Sequence, residues 1–363
     1  MKKYFTLFSM LVAMFSTVSA MADVLSLEAQ NQWKQVTANT DAQLRGLSVV
    51  NSQVAWASGV KGTVLKTIDG KHWQNVSISS TMPDASELDF RDIQGFSATT
   101  AIAMSAGPGK ASTVYKTSDG GATWKLLMVN SEATGFWDAM DFWDEKNGVI
   151  FGDPVNGQFQ ILITQDSGET WQPAANKNKQ LTALANEGAF AASGTCVVVK
   201  GKQDIWFVTG GAEVSRVFHS SDRGETWSNS VTEIPAAAAP KGLFSAAFFD
   251  DKNGFVVGGD YSKPALTTVS ASLTKDAGKT WQTVSVLPQG FLSVVTIVPK
   301  QNQLLIAGGL TGIGFSTDGG LHWKAISTTP INTVAFADSV HGWAVGPKGL
   351  ILQYVGKNLL MKE

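Results

Sequence analysis

Apolar and polar residues alternate along this chain in short runs, and the runs come in groups of four. A typical group is Trp137–Phe142, Gly148–Phe151 and Phe159–Thr164, followed by a polar turn and then Trp171-Gln172. Period-two alternation over four to eight residues is the signature of half-buried strands, so each group predicts a small antiparallel sheet. The turn before the fourth strand recurs as Ser/Thr-x-Asp-x-Gly-x-Thr/His-Trp. Its copies end at Trp124, Trp171, Trp227, Trp281 and Trp323, and Thr67-Ile-Asp-Gly-Lys-His-Trp73 is one residue shorter. From Trp73 to Trp323 is 250 residues over five intervals, a mean period of 50. Four-stranded sheets repeated at that spacing predict a β-propeller.

Each part of the turn has a structural task. The Ser/Thr hydroxyl and the carboxylates of Asp69, Asp119, Asp166, Asp222, Asp276 and Asp318 can accept backbone N–H groups. The Gly takes a positive φ, and the Trp buries a large ring against the neighbouring sheet. Repetition at every period marks these six Asp residues as structural rather than catalytic.

First strands are expected near Leu44, Phe90, Phe136, Ala189, Leu243, Phe291 and Ile331, which makes seven blades. The seventh unit ends at Tyr354 without a Trp turn, and Trp33-Lys-Gln-Val36 resembles the strand missing from it. The expected fold class is therefore an all-β, seven-bladed propeller with four-stranded blades, its last blade closed by the N-terminal strand. Closure would remove the exposed edges of an open sheet.

Composition narrows the function classes. In 363 residues, 28 basic against 30 acidic side chains give a net charge of −2. No cation excess is available to displace counterions from a phosphate backbone, so nucleic acid is excluded as a partner. One cysteine, Cys196, excludes an intramolecular disulfide framework. The four His (His72, His219, His322 and His341) are scattered, and no metal site is expected.

Lys2 and Lys3 precede an apolar run from Tyr4 to Val18, and Ala20-Met-Ala22 supplies small residues at −3 and −1 of a cleavage site. Residues 1–22 therefore read as a secretory signal peptide, too short for a ~20-residue membrane span. Residues 23–363 form the single propeller domain, beginning near Asp23. The expected product is exported, periplasmic in a double-membraned bacterium, with no transmembrane segment in the mature chain.

The turns resemble the Asp-box (BNR) repeats found in sialidases, xyloglucan hydrolases and non-enzymatic propellers. The units Leu44–Trp73 and Val334–Leu352, with Trp56-Ala-Ser-Gly59 and Trp343-Ala-Val-Gly346, resemble the photosystem II stability and assembly factor family. The middle of the chain (Phe90-Arg-Asp-Ile, Phe151-Gly-Asp-Pro, Gly258-Gly-Asp-Tyr261) resembles exported bacterial relatives often labelled oxidoreductases without a cofactor motif. The resemblance implies a module that helps assemble or stabilise a membrane complex through a protein or peptide partner. This fold hosts many unrelated tasks, so function has to be argued from the site.

In such a ring the Asp turns lie on one face, and the loops between second and third strands and between blades lie on the other, beside the channel mouth. Candidate loops there are Thr81–Leu88, Ala106–Ser112, Asp153–Gly157, Lys177–Glu187, Gly210–Ser215 and Gly259–Lys263. The chain has 24 Lys but only four Arg. Arg223 sits in a turn and is expected to face solvent. Arg45, Arg91 and Arg216 fall at strand ends on the loop-rich face, where their planar forks suit carboxylates. The competing reading pairs them with Asp92, Asp138 or Glu187 as staples between blades.

Asp92, Asp138, Ser245, Ser293 and Asn332 form a polar series at the channel mouth, either water-lined or, through Asp92 and Asp138, an acid/base pair. Trp137, Trp143 and Tyr261 add aromatic surface there, with Asp153 and Asp260 in adjoining loops. A sialidase needs three Arg, a Tyr–Glu pair and an Asp acid. Arg45, Arg91, Arg216, Tyr261, Glu187 and Asp92 supply the kinds, but Phe90-Arg91-Asp92-Ile93 lacks the Pro of that family's Arg-Ile-Pro motif. No cofactor is expected. Gly278-Lys-Thr280 lacks the first Gly of a phosphate loop, and Gly308–Gly314 precedes no helical pattern. The leading expectation is a non-catalytic binding or assembly module acting through the loop-rich face. The alternative is a glycan-active hydrolase using carboxylates and Arg of that face.

Overall fold

The computed structural model describes residues 32–79, 84–301 and 303–360. The expected leader and its cleavage site, and the start of the Thr81–Leu88 loop, lie outside the described residues. The chain forms seven antiparallel four-stranded sheets arranged as a propeller. Six sheets are built from consecutive strands. The seventh takes Trp33–Val36 as its outer strand, paired antiparallel with Ile351–Tyr354, so the two ends of the described chain close the ring. Trp33 packs edge-on against Phe336 and Tyr354, with ring centroids 5.8 and 5.2 Å away.

Five of the six repeated turns use two successive left-handed residues, and the shorter first one uses Gly70 alone. In the third blade Ser167 and Gly168 have φ of 64° and 80°, and in the fifth Ala277 and Gly278 have 67° and 86°. Asp166 closes the loop by accepting from Thr170 N at 2.9 Å and Thr170 Oγ1 at 2.6 Å, while Gly168 N donates to Thr164 Oγ1 at 3.0 Å. Thr123, Thr226 and Thr280 make the same pairs with Asp119, Asp222 and Asp276. These carboxylates are held below the usual range by those donors. His72 and His322 replace the Thr at Asp69 and Asp318, through Nδ1 at 2.6 Å in both.

The core lies between blades. Trp171 packs with Ile102 and Met104 of the preceding blade, and Phe151 stacks on Phe207 of the following one at 4.2 Å. Such aromatic pairs add about 0.5–1.5 kcal/mol beyond their area burial. Cys196 is buried in the same layer.

Around the channel every blade is tied to the next by a short polar contact. Ser48 Oγ accepts from Gly95 N (3.0 Å), Asp92 Oδ2 from Met140 N (2.7 Å) and Asp141 Oδ2 from Val199 N (2.8 Å). Thr195 Oγ1 meets Ser245 Oγ (2.6 Å), which accepts from Val295 N (2.9 Å). Ser293 Oγ donates to Asn332 O and Asn332 Nδ2 to Leu44 O, both at 2.7 Å. Most of the polar series read as channel lining is therefore a ring of interblade latches.

Two expectations are corrected. Blade four begins at Val197–Lys200 rather than near Ala189. The preceding residues leave the sheet and cross the channel mouth: Arg91 Nη1 donates to Ala191 O (3.3 Å), and Ser193 Oγ to Ser293 O (2.7 Å). A cavity of about 260 Å³ remains beneath this crossing, lined in part by Ser48, Gln94, Asp141, Lys200 and Thr296. Arg223 is half-buried rather than solvent-facing. It donates to Lys202 O and Asn147 Oδ1, and lies 5.1 Å from the Trp143 ring, joining its turn to blade three.

Candidate functional site

The first strands of blades one, two, three and five are Leu44–Val49, Phe90–Gly95, Trp137–Phe142 and Lys241–Phe248. Each carries a β-bulge at one equivalent position near the loop-rich mouth. The residues displaced from the ladder are Arg45, Arg91, Asp138 and Phe244. A bulge leaves one residue unpaired and re-aims its side chain. Four blades thus direct a non-repeating set of side chains at the mouth: two guanidiniums, a carboxyl and a phenyl ring.

Arg91 Nε donates to Asp89 Oδ2 at 2.7 Å, and its Nη1 holds the Ala191 carbonyl of the crossing segment. Arg45 sits close enough to Arg91 for the two charges to oppose each other. Burial, then Arg91, lowers its pKa, with Asp89 opposing. Arg45 Nε is buried without a hydrogen-bond partner. A guanidinium offers five donors, and a buried donor left unpaired costs about 1–3 kcal/mol. Arg45 is therefore a cation whose hydrogen-bonding capacity the fold leaves partly unused.

The other arginine differs. Arg216 forms a buried, two-point pair with Glu187: Nε donates to Oε1 at 2.8 Å, and Nη2 meets Oε2. Nη2 also donates to Thr182 O at 2.9 Å. Glu187 further accepts from Thr209 Oγ1 (2.6 Å) and Leu184 N (2.7 Å), so its oxygens are occupied. Arg216 and Glu187 thus staple the segment between blades three and four, which pairs with blade three at Gln158 and Thr182, to the third strand of blade four, and Glu187 bonds to no tyrosine among the described residues.

Asp92 and Asp138 are both buried. Asp92 is buried under Gly194, bonded to Ile93 N and Met140 N. Burial raises its pKa well above the carboxylate range, and Asp141 adds to the rise. Asp138 is likewise raised, by burial and then by Asp153, with Arg91 opposing, and its Oδ2 is buried without a hydrogen-bond partner. Asp153 accepts from Ala189 N at 2.8 Å. Through Ala189, Asp153 anchors the crossing segment.

Asp260 accepts from Ser262 N and Oγ at 2.9 and 2.6 Å and orders the loop carrying Tyr261. Trp137 is buried. Trp143 follows the far end of its strand and donates to Asp204 O at 3.2 Å, so it does not contribute to this mouth. Tyr261 is 48% exposed. Sequence reading missed Phe190 and Phe244. Aligned, Leu44-Arg, Phe90-Arg, Trp137-Asp and Leu243-Phe each place a variable residue after an apolar one, a signal that does not by itself mark a bulge. Among the described residues no group of three or more His, Cys, Asp or Glu is placed to hold a metal ion. No described helix is long and apolar enough to cross a membrane.

Asp141 gives a pH prediction. It accepts from Phe142 N and Val199 N, both at 2.8 Å, and burial pushes its pKa up to about 6. The folded state then holds a proton that the unfolded chain releases at roughly pH 4. Its contribution is present below that value, falls as pH rises to about 6, and is flat above. In urea unfolding, the wild-type midpoint minus that of Asp141→Asn should drop across that window. A pH-independent difference would refute the assignment.

No protein-family profile matches the chain, and no curated protein matches it. Solved structures do. "YCF48 bound to D1 peptide" is 18% identical over 90% of this chain and 98% of that one, with a TM-score of 0.63. YCF48 from Cyanidioschyzon merolae is 16% identical over 89% and 99%, with a TM-score of 0.65. The GH74 enzyme of Niastella koreensis is 14% identical, with a TM-score of 0.61, over 88% of this chain but 53% of its own length. These likenesses show that the chain shares the propeller fold of the YCF48 structures along nearly its whole described length.

Proposed function

We propose that this protein is an exported, non-catalytic binding module. It would recognise an acidic extended segment of a protein partner at the loop-rich face, as an assembly or stability factor does. The observation that carries the reading is the Arg45–Arg91 pair: two guanidiniums on equivalent bulges, one with a buried Nε that no protein group satisfies. A carboxylate at the half-buried Arg45 and Arg91 side chains would relieve the repulsion between the two cations. The resemblance to the photosystem II assembly factor family and the fold shared with a peptide-bound YCF48 support a peptide partner. A membrane complex is the class of assembly in which that segment would reside.

The glycan-hydrolase alternative keeps its fold-level likeness to a GH74 enzyme. Two of its named groups are committed elsewhere, however: Glu187 to Arg216, and Asp92 to the backbone N–H groups of Ile93 and Met140.

The test is fluorescence-polarisation titration with N-acetylated, C-amidated octapeptides that carry either Glu or Gln at matched positions. Glu peptides should bind at least about tenfold tighter, and Arg45→Ala should remove most of that difference (tenfold is 1.4 kcal/mol). Equal binding of Glu and Gln peptides, or an unchanged preference in Arg45→Ala, would overturn the reading.

A further inference from the structure

The fourth bulge residue is apolar, and it opens onto a second surface. Phe244 stacks face to face with Phe190 of the crossing segment, centroids 3.8 Å apart at 9°. Phe291 of the next blade stands edge-on to Phe244 at 4.7 Å. Tyr261 completes the cluster, edge-on to Phe190, Phe244 and Phe291 at 6.5, 6.1 and 6.4 Å. Phe244 and Phe291 are buried, Phe190 is half-buried and Tyr261 is exposed. Leu266, also exposed, follows in the same loop, whose Pro264 carbonyl accepts from Phe291 N at 2.8 Å.

The local backbone makes room for this cluster. A Cβ on Gly210 would lie 2.8 Å from the Phe190 ring and 2.6 Å from the Gly242 Cα, so both glycines permit the close approach. Gly242 also has a φ of 148°. Four aromatic rings converge beside the mouth, and one is left with nearly half its surface in water.

The crossing segment links this shelf to the guanidiniums. Ala191, whose carbonyl Arg91 holds, is the residue next to Phe190. Chaining these contacts places the Tyr261 ring within about six residues of extended chain from the Arg91 guanidinium, at roughly 3.3 Å per residue.

We infer that the loop-rich face holds a two-part site: a carboxylate subsite at Arg45 and Arg91, and an aromatic subsite at Tyr261 and Phe190, backed by the buried Phe244 and Phe291. It would take an extended peptide segment carrying an acidic residue and an aromatic or large aliphatic residue no more than about six positions apart. This rests on the proposed peptide-binding function and names the sequence class of its ligand. The charge of the arginine pair selects the acidic residue. The exposed ring edge of Tyr261 over a rigid phenyl stack selects the apolar one, since rigid aromatic anchors commonly dominate binding energy at interfaces.

The experiment uses the full mature chain and blocked Glu-containing octapeptides with Phe or Ala placed one to six residues from the Glu. At the best spacing, Phe should tighten binding about tenfold over Ala. Tyr261→Ala should bring that ratio close to one, and Tyr261→Phe should retain most of it. Circular dichroism and the melting temperature check that each variant is folded. Arg45-dependent binding of Glu peptides with no gain from Phe at any spacing would overturn the aromatic subsite while leaving the acidic-segment reading standing. If Glu peptides fail to bind in preference to Gln peptides, both fall.

Discussion

Replacing Glu187 by alanine is expected to cost about 3–5 kcal/mol of folding stability, because it strands a buried guanidinium. Arg216 is 9% exposed at its side chain and Glu187 is fully buried, and the pair is joined at both ends of the fork. Arg216→Ala should be comparably costly, since it strands the carboxylate instead. A double replacement by apolar residues of similar volume should recover much of the loss, because breaking a buried pair costs far more than replacing it whole. Urea denaturation of the two single variants and the double variant checks this. Full stability in Glu187→Ala would mean the pair does not staple the Thr182–Glu187 loop to blade four. Glu187 would then be available for the chemistry that the glycan reading assigns to it.

Trp33→Ala is the second large effect, also expected at about 3–5 kcal/mol for a buried Trp. Trp33 lies on the outer strand of the last blade and packs on Phe336 and Tyr354. Its loss weakens the seam that joins the start and end of the ring, and an opened blade exposes an unpaired strand edge. A lower melting temperature together with faster proteolysis of the N-terminal strand is the expected result. A change under about 1 kcal/mol, within the range of ordinary surface substitutions, would show that the seam is held elsewhere.

The ring latches explain why the polar series at the channel was read ambiguously. Ser245, Ser293 and Asn332 were legible as polar residues at strand starts, yet the same pattern serves a wet channel, a catalytic row or hydrogen bonds between blades. Their partners are Val295, Asn332 and Leu44, which belong to the next blade in each case. Only the radial arrangement of sheets brings those groups within 3 Å. The arginines divide in the same way. Arg216 has its carboxylate at Glu187, 29 positions earlier, whereas Arg45 lacks such a partner for its Nε. No local signal separates the two.

What the sequence determined by itself was whatever is encoded over short distances. The strand alternation, the Asp-centred turns with their left-handed Gly, the number of blades and the closure by Trp33–Val36 all rest on contacts within a hairpin or on a strand missing from a counted series. The tertiary structure alone decided the site. Residues 189–195 had no strand partner that the alternation could reveal. Their bonds run to Asp153, Ser245, Arg91 and Ser293, the last two each a hundred positions away. The bulges add the second undetermined element, because one extra residue in a ladder turns a side chain from the sheet toward the mouth without altering the apolar pattern. Long-range register and local bulging set which charges are spent inside the fold and which remain for a partner. Both are fixed by how the blades pack, not by any single stretch of chain.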